Sequence, residues 1–171
     1  MRDVLSLLAI LVMLLFMTNL TFAAEPPLAN PIPIDTGDTT FVLVSAALVM
    51  LMTPGLALFY GGMVRTKNAL TTIMQSFFLL GLISVQWVLF GYSLAFGPDV
   101  GSLIGSLAWA GFSGVGIEAN ADYAATIPHV AFAMFQAMFA VLTPALITGA
   151  FAERMKFPAF IVFSLVWATA V

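Results

Sequence analysis

Three phenylalanines and a glutamine in one apolar stretch are the residues of this sequence best suited to handle a small cation. Phe132, Phe135 and Phe139 are spaced i, i+3 and i+7, so a helix would place them along one face, with Gln136 beside them. Aromatic faces attract small cations by roughly 1–2 kcal/mol in a site without water. Packing between membrane helices or contact with lipid would favour the same stripe. The spacing alone leaves both interpretations open.

The other residues that could do chemistry form no recognisable catalytic set. Cysteine is absent and His129 is the single histidine, while Glu118 and Asp122 lie outside the apolar stretches. Disulfides, thiolate chemistry and cysteine-based metal sites are therefore excluded. The phosphate-binding, metalloprotease and nucleophile-elbow motifs are also missing, which argues against a membrane enzyme such as a lipid-modifying transferase. We predict no enzymatic activity, no metal and no cofactor, and we interpret His129 as a capped or solvated residue at the outer mouth.

The composition indicates that lipid surrounds most of this chain. Of its 171 residues 62% are hydrophobic and only 8% are charged, and the mean hydropathy is +1.10. Soluble domains carry about 25% charged residues, which is far more than this chain could present to water. The net charge of −3 and the lack of a basic run predict no nucleic-acid partner.

The few charges divide the chain into apolar stretches of membrane-spanning length. A helix needs about 20 apolar residues to cross the bilayer. We therefore predict an all-α, polytopic transmembrane helix bundle that is truncated after the start of its fourth span, with spans at about 40–62, 69–96, 127–150 and 157–171. Residues 97–126 contain many glycines and are expected to form a loop with a short surface helix.

The first residues have the order of a secretory signal peptide. Arg2 precedes an apolar run, which is followed by polar residues and by the small pair Ala23 and Ala24. We predict a signal peptide over 1–24, with an uncleaved transmembrane helix as the alternative. Residues 25–38 are expected to form an extracytoplasmic linker because they are rich in proline and aspartate.

The basic residues predict the orientation in the membrane. Arg65 and Lys67 separate the first two spans, and Arg154 and Lys156 separate the last two, whereas the other loops hold only acids. Basic loops stay in the cytoplasm. The chain is therefore expected to be a multi-pass protein of the inner (plasma) membrane with its mature N-terminus outside.

Two glutamines inside the second span predict contacts between helices. Gln75 and Gln86 lie in a stretch without charge. An amide in hydrocarbon needs a hydrogen-bond partner, so both side chains should face the bundle rather than the lipid.

Three local strings resemble one known family. They are PGLALFYGGMVRTKNAL at 54–70, GYSLAFG at 91–97 and FQAMFAVLTPALITGAFAERMKFPAF at 135–160. In order and spacing they resemble the N-terminal part of the ammonium transporter family (Amt/MEP/Rh). The resemblance covers about 38–171, so 39–171 would be the N-terminal part of an ammonium transporter domain.

The resemblance implies a function and a set of site residues. It implies uptake of ammonium or ammonia through a narrow pore in each subunit of a homotrimer. By motif position, Phe139 resembles a member of the phenylalanine gate and Phe135 the vestibule aromatic above it, with Gln136 at a neighbouring position. Phe59 and Tyr60 resemble residues that line the cytoplasmic exit.

Other parts of the family pattern lie beyond the position that matches Val171. They include both pore histidines, the second gate phenylalanine and the vestibule tryptophan, so the chain is expected to hold one side of a pore. In bacterial members a PII-type signal protein can dock on the cytoplasmic face, where the loops around Arg65 and Arg154 would lie. The alternatives are a small membrane accessory subunit and an ammonium sensor without transport.

Overall fold

Long apolar helices dominate the computed structural model of the protein, which describes residues 33–171. The predicted signal peptide at 1–24 and linker residues 25–32 lie outside the described residues. The helices are α1 Thr36–Met63, α2 Thr66–Gln86, α3 Tyr92–Phe96, α4 His129–Leu146, α5 Thr148–Phe151 and α6 Phe157–Ala170, and a π-helical turn at Trp87–Gly91 joins α2 to α3. In the described part, three stretches are long and apolar enough to cross a membrane: Thr36–Met63, Thr66–Phe96 and His129–Phe151. The polytopic helical class predicted from the composition is confirmed.

The first helix begins inside the segment predicted to be linker. Asp35 is its N-cap, and the Asp35 carboxylate accepts a hydrogen bond of 2.9 Å from the Asp38 backbone N–H. An acidic cap and an acid in the first turn stabilise the positive end of a helix. The linker boundary at 38 was therefore wrong, because the acid that was used to end the linker stabilises the first turn of α1.

The two glutamines of α2 are buried in the bundle, as predicted. The Gln86 amide donates a hydrogen bond of 2.7 Å to the hydroxyl of Thr169 in α6. The Gln75 side-chain oxygen is also buried, and it has no hydrogen-bond partner within residues 33–171. A polar contact thus joins the second and the last of the described helices.

The glycine-rich stretch after α3 folds into two small hairpins and not into a loop with a surface helix. Its strands are β1 Asp99–Val100, β2 Ile104–Gly105, β3 Ala119–Asn120 and β4 Ala124–Pro128, paired antiparallel as β1–β2 and β3–β4. The only helical piece in this stretch is one 3₁₀ turn at Ala110–Phe112. Gly101 and Gly114 have φ angles of 64° and 74°, and Gly111 interrupts the 3₁₀ turn with a φ of 64°, whereas a regular right-handed helix needs negative φ at every residue.

The predicted third span starts two residues too early. Residues 127 and 128 belong to β4, and the Thr126 carbonyl accepts a hydrogen bond of 2.8 Å from the backbone N–H of Asp35. Pro128 is the N-cap of α4, so the helix begins at His129. The strand is extended because it pairs with chain segments that are distant in sequence.

The core lies between α2, α4 and α6, while α1 packs along α2 and α4. It is formed by buried side chains at Leu79, Ile83, Val141, Ala145 and Phe160. Because successive helices run in opposite directions, the bundle has two ends. The hairpin end carries β1–β4 and the first residues of α1 and α4, and the basic end carries the α1–α2 and α5–α6 connections with their four Lys and Arg residues.

Candidate functional site

Phe135 and Phe139 form an aromatic pair one helical turn apart on α4. Their ring centroids are 5.1 Å apart and their planes meet at 84°, which is an edge-to-face contact. This is a favoured aromatic geometry, and it fixes each ring against the other. The Phe139 side chain is 41% exposed on the described structure. The predicted gate residue Phe139 and the predicted vestibule aromatic Phe135 are thus neighbours, and the Phe139 ring is partly exposed.

The pair lies on the side of α4 that faces away from the core. Ala133, Ala137 and Val141 are buried on the opposite side. At 100° per residue, the two phenylalanines point away from those small residues. Small side chains let helices approach closely in a membrane. Close packing on one side of α4 therefore leaves the phenylalanine pair on the open side of the described bundle.

Gln136 and Thr143 supply polar atoms along the same helix. The Gln136 side chain is half-buried and has no hydrogen-bond partner among residues 33–171. The Thr143 hydroxyl donates a hydrogen bond of 2.7 Å to the backbone carbonyl of Phe139. A hydroxyl that bonds to the carbonyl four residues earlier tends to bend a helix. The Thr143 hydroxyl is thus bonded to the backbone of the same residue whose ring is exposed.

Phe132 does not continue the stripe that its spacing suggested. Its ring packs edge-on against Phe96 with centroids 5.3 Å apart, and it stacks on Tyr123 at 6.0 Å. The three-ring stripe thus separates into a packed ring at the hairpin end and a pair further along α4.

Phe59 and Tyr60 lie near the basic end, apart from the pair. The Tyr60 hydroxyl donates a hydrogen bond of 2.6 Å to the backbone carbonyl of Leu146, the last residue of α4. Leu146 is seven residues beyond Phe139, roughly 10 Å along the helix axis. Phe59 is 60% exposed and its ring centroid is 5.5 Å from that of Tyr60. The structure therefore places the five predicted site residues at two levels of the bundle.

An open cleft of about 420 Å³ lies beside Tyr60 at the basic end. The tyrosine ring also packs against Gly149, where an added Cβ would lie 2.7 Å from a ring carbon. Only glycine leaves room for the ring in this position. The cleft is lined by Tyr60, Met63, Val64, Gly149, Ala152 and Glu153.

Glu153 is a residue of the basic end that the sequence analysis did not single out. Its Oε1 accepts hydrogen bonds of 2.9 Å from the Arg65 backbone N–H and 2.8 Å from the Asn68 side-chain amide. The hydrogen bond from Asn68 is the main cause of a lowered Glu153 pKa, followed by that from Arg65 and by the charges of Arg65 and Lys67. One exposed carboxylate thus links the two basic loops. In the sequence, the available signal was that Glu153 is the one acid in the two connections that carry Arg65, Lys67, Arg154 and Lys156.

His129 was interpreted as a capped or solvated residue, and the solvated alternative was wrong because the side chain is buried. It is 4% exposed and hydrogen-bonds through Nε2 to the Tyr92 hydroxyl at 2.5 Å. The Trp109 ring lies edge-on to the imidazole with centroids 4.9 Å apart. Tyr92 and Trp109 belong to an aromatic cluster that the sequence analysis missed. The density of aromatic residues over 87–112 was the only signal for it.

The part of the chain that holds these site residues matches a known protein family. A family model described as "Ammonium Transporter Family" matches residues 40–171, which include the phenylalanine pair, the Tyr60 cleft and the aromatic cluster. The chain belongs to the ammonium transporter family. Its relatives include the "Ammonium transporter" of Bacillus subtilis (strain 168), with 60% identity over 135 residues, and that of Mycobacterium tuberculosis (strain ATCC 25618 / H37Rv), with 48% over 151 residues.

Solved structures of this family have the same fold. The crystal structure of Saccharomyces cerevisiae Mep2 matches with a TM-score of 0.70 at 33% identity over 81% of this chain, and that of Candida albicans Mep2 with 0.71 at 30% identity over 81%. The matches cover 79% of this chain and 33% of the Bacillus subtilis protein, and 30% of each Mep2 chain. The chain thus spans about a third of the ammonium transporters that it matches.

Proposed function

We propose that this chain is the N-terminal part of a transporter that carries ammonium or ammonia across a membrane. The family match over residues 40–171 carries this proposal, together with relatives that are named ammonium transporters. Three helices of membrane-spanning length provide the embedding that transport requires. A transporter without enzymatic activity is also consistent with the missing catalytic motifs.

Phe139 would form part of the gate, with Phe135 as the vestibule aromatic and Gln136 at their side. The edge-to-face contact orients the rings, and their position on the open side of α4 leaves them facing the space that the rest of a pore would enclose. A desolvated ring face attracts a monovalent cation and excludes water. Gln136 supplies amide atoms with no other partner in residues 33–171.

Phe59 and Tyr60 would line the exit at the basic end. Tyr60 is anchored to the end of α4 and borders the cleft of about 420 Å³. The exposed Phe59 ring beside it extends the same wall. A substrate that passed the phenylalanine pair would leave along this surface.

The test is Phe139→Ala in the complete transporter that contains this segment. Losing a cation–π contact of roughly 1–2 kcal/mol should lower methylammonium uptake at low concentration by about fivefold to thirtyfold. The matched control is Met134→Ala, because Met134 lies on the same helix and is also 41% exposed but points to another side. Uptake by Phe139→Ala with unchanged rate and selectivity would show that the gate is assigned wrongly.

The chain would enter the inner membrane with its hairpin end outside. All four bases of the described residues lie at the other end, and such loops stay in the cytoplasm. Residues 1–24 would be removed as a signal peptide, which leaves an outer segment that starts at residue 25 and ends at Asp35, the N-cap of α1. N-terminal sequencing of the mature protein should then begin at or next to Glu25.

Two partners follow from the same family membership. The complete protein would assemble as a homotrimer, and a PII-type signal protein would dock at the basic end. The Glu153 carboxylate holds the two loops of that end together, and Arg154 and Lys156 are exposed beside it. Native mass spectrometry of the detergent-solubilised protein, with and without a PII-type protein, tests both assignments.

A further inference from the structure

One buried polar contact joins the helices at the hairpin end. The Tyr92 hydroxyl, at the start of α3, lies 2.5 Å from Nε2 of His129, the first residue of α4. Tyr92 is fully buried and His129 nearly so. A buried hydroxyl or imidazole that loses its partner carries a desolvation penalty. Any sliding or rotation of α4 that separates the two groups is therefore opposed.

Other contacts hold the first turn of α4 from several directions. The backbone N–H groups of His129 and Val130 donate hydrogen bonds of 3.0 Å each to the carbonyls of Glu118 and Gly116. The Trp87 indole N–H donates 3.0 Å to the Ala133 carbonyl one turn later. Helix N-termini leave such N–H groups without intrahelical partners, so the loop 113–118 completes this one.

This anchored turn belongs to the helix that carries the phenylalanine pair. Phe135 and Phe139 lie roughly 9 and 15 Å along the axis from His129. A helix transmits a shift or a rotation of its first turn to the residues that follow. The hydrophobic effect is non-directional, whereas a hydrogen bond weakens steeply with distance and angle.

We propose that the Tyr92–His129 hydrogen bond positions α4, and with it Phe135 and Phe139, relative to the rest of the pore. His129 and Tyr92 are positioning residues in this proposal and do not contact substrate. The proposal rests on the proposed function for its effect on transport. The proposed effect on the position of α4 can be measured without a transport assay.

The experiment compares two tyrosines of the same aromatic cluster in the complete transporter. Tyr92→Phe removes the bonded hydroxyl and keeps the ring, whereas Tyr123→Phe removes a hydroxyl that makes no hydrogen bond within residues 33–171. This chain has no cysteine. Once any cysteine in the rest of the complete transporter is replaced, spin labels can be placed at Met134→Cys on α4 and Leu89→Cys on the π-helical turn. Both positions are exposed. Pulsed spin resonance then gives the distance distribution between the two labels.

We expect Tyr92→Phe to shift or broaden the distance distribution and to lower methylammonium turnover per folded transporter by about fivefold. Tyr123→Phe should change neither quantity. The double variant Tyr92→Phe with His129→Ala should be no worse than His129→Ala alone, because the two groups act through one bond. His129→Gln, which places an amide where Nε2 lies, should restore part of the turnover lost in His129→Ala.

An unchanged distance distribution in Tyr92→Phe would overturn the proposal. Turnover and KM per folded transporter equal to the wild type would also overturn it, since the bond would then serve stability alone. If the wild-type protein took up no methylammonium while Tyr92→Phe still shifted the distribution, the transport function would fail and the positioning of α4 would stand.

Discussion

At the residue scale, Glu153 shows how one side chain can hold two loops together. Its φ angle of 64° lies in the left-handed region, where a residue with a Cβ is strained. This conformation is retained where the carboxylate bonds to both Arg65 and Asn68. Those bonds lower the Glu153 pKa below its ordinary value of 4.5. Their contribution to the stability of the folded state is therefore fully present above pH 4.5. The stabilisation is lost as the pH falls through the lowered pKa.

Glu153→Gln should therefore remove part of the pH dependence of unfolding. We expect a lower unfolding temperature than the wild type at pH 7, with the difference shrinking as the solution is acidified below pH 4.5. Thermal unfolding in detergent across this range measures it. Glu118→Gln is the control, because that carboxylate is exposed at the hairpin end and makes no hydrogen bond within residues 33–171. Identical curves for Glu153→Gln and the wild type would contradict the prediction.

At the element scale, the crossing of α1 and α2 depends on one of two adjacent glycines. A Cβ at Gly61 would lie 2.6 Å from the Ile73 side chain, whereas a Cβ at Gly62 would meet nothing within 4 Å. Ile73 is β-branched and has few rotamers with which to move aside. The two helices therefore approach closely at Gly61 and not at its neighbour.

Gly61→Ala should destabilise the protein by about 1–3 kcal/mol through overpacking between α1 and α2. Gly62→Ala adds the same methyl group in open space and should be neutral or stabilising by up to about 1 kcal/mol, because alanine favours the helix. Unfolding temperatures of the two variants in the same detergent give the comparison. Equal losses would show that the close approach at Gly61 does not hold the helices together.

At the scale of the whole molecule, the separation of charge between the two ends predicts its orientation. The hairpin end carries acids such as Asp38 and Asp122, and the basic end carries the four Lys and Arg residues of the described chain. Basic residues near the ends of spans keep their loops in the cytoplasm. The absence of cysteine makes this testable with single thiols placed at exposed hydroxyl residues.

Ser113→Cys should react with a membrane-impermeant maleimide on intact cells, and Thr66→Cys should react only after the membrane is opened. Both changes replace a hydroxyl by a thiol at an exposed position, one in the hairpin-end loop and one at the start of α2, so neither alters the charge that sets orientation. The extent of labelling by gel shift measures each. Labelling of Thr66→Cys on intact cells would reverse the proposed orientation.

The amino-acid sequence alone is enough to predict the membrane class, the helical stretches and the aromatic spacing that places Phe135 one turn from Phe139. These features are local, because transfer of a segment into lipid depends on the sum over its own residues and a helix repeats with a constant period. The resemblance of 54–70, 91–97 and 135–160 to one family is likewise read directly from the order of residues.

Features that depend on partners far apart in the chain are visible only in the folded structure. The buried His129 imidazole hydrogen-bonds to Tyr92, which lies 37 residues earlier in the chain. The Glu153 carboxylate accepts a hydrogen bond from the backbone N–H of Arg65, which lies 88 residues earlier. Residues 97–128 form hairpins and not a helix, since β4 bonds to Asp35 and several glycines adopt positive φ. Sequence patterns describe the preference of each segment, whereas a hydrogen bond between segments exists only where the folded chain brings its donor and acceptor together.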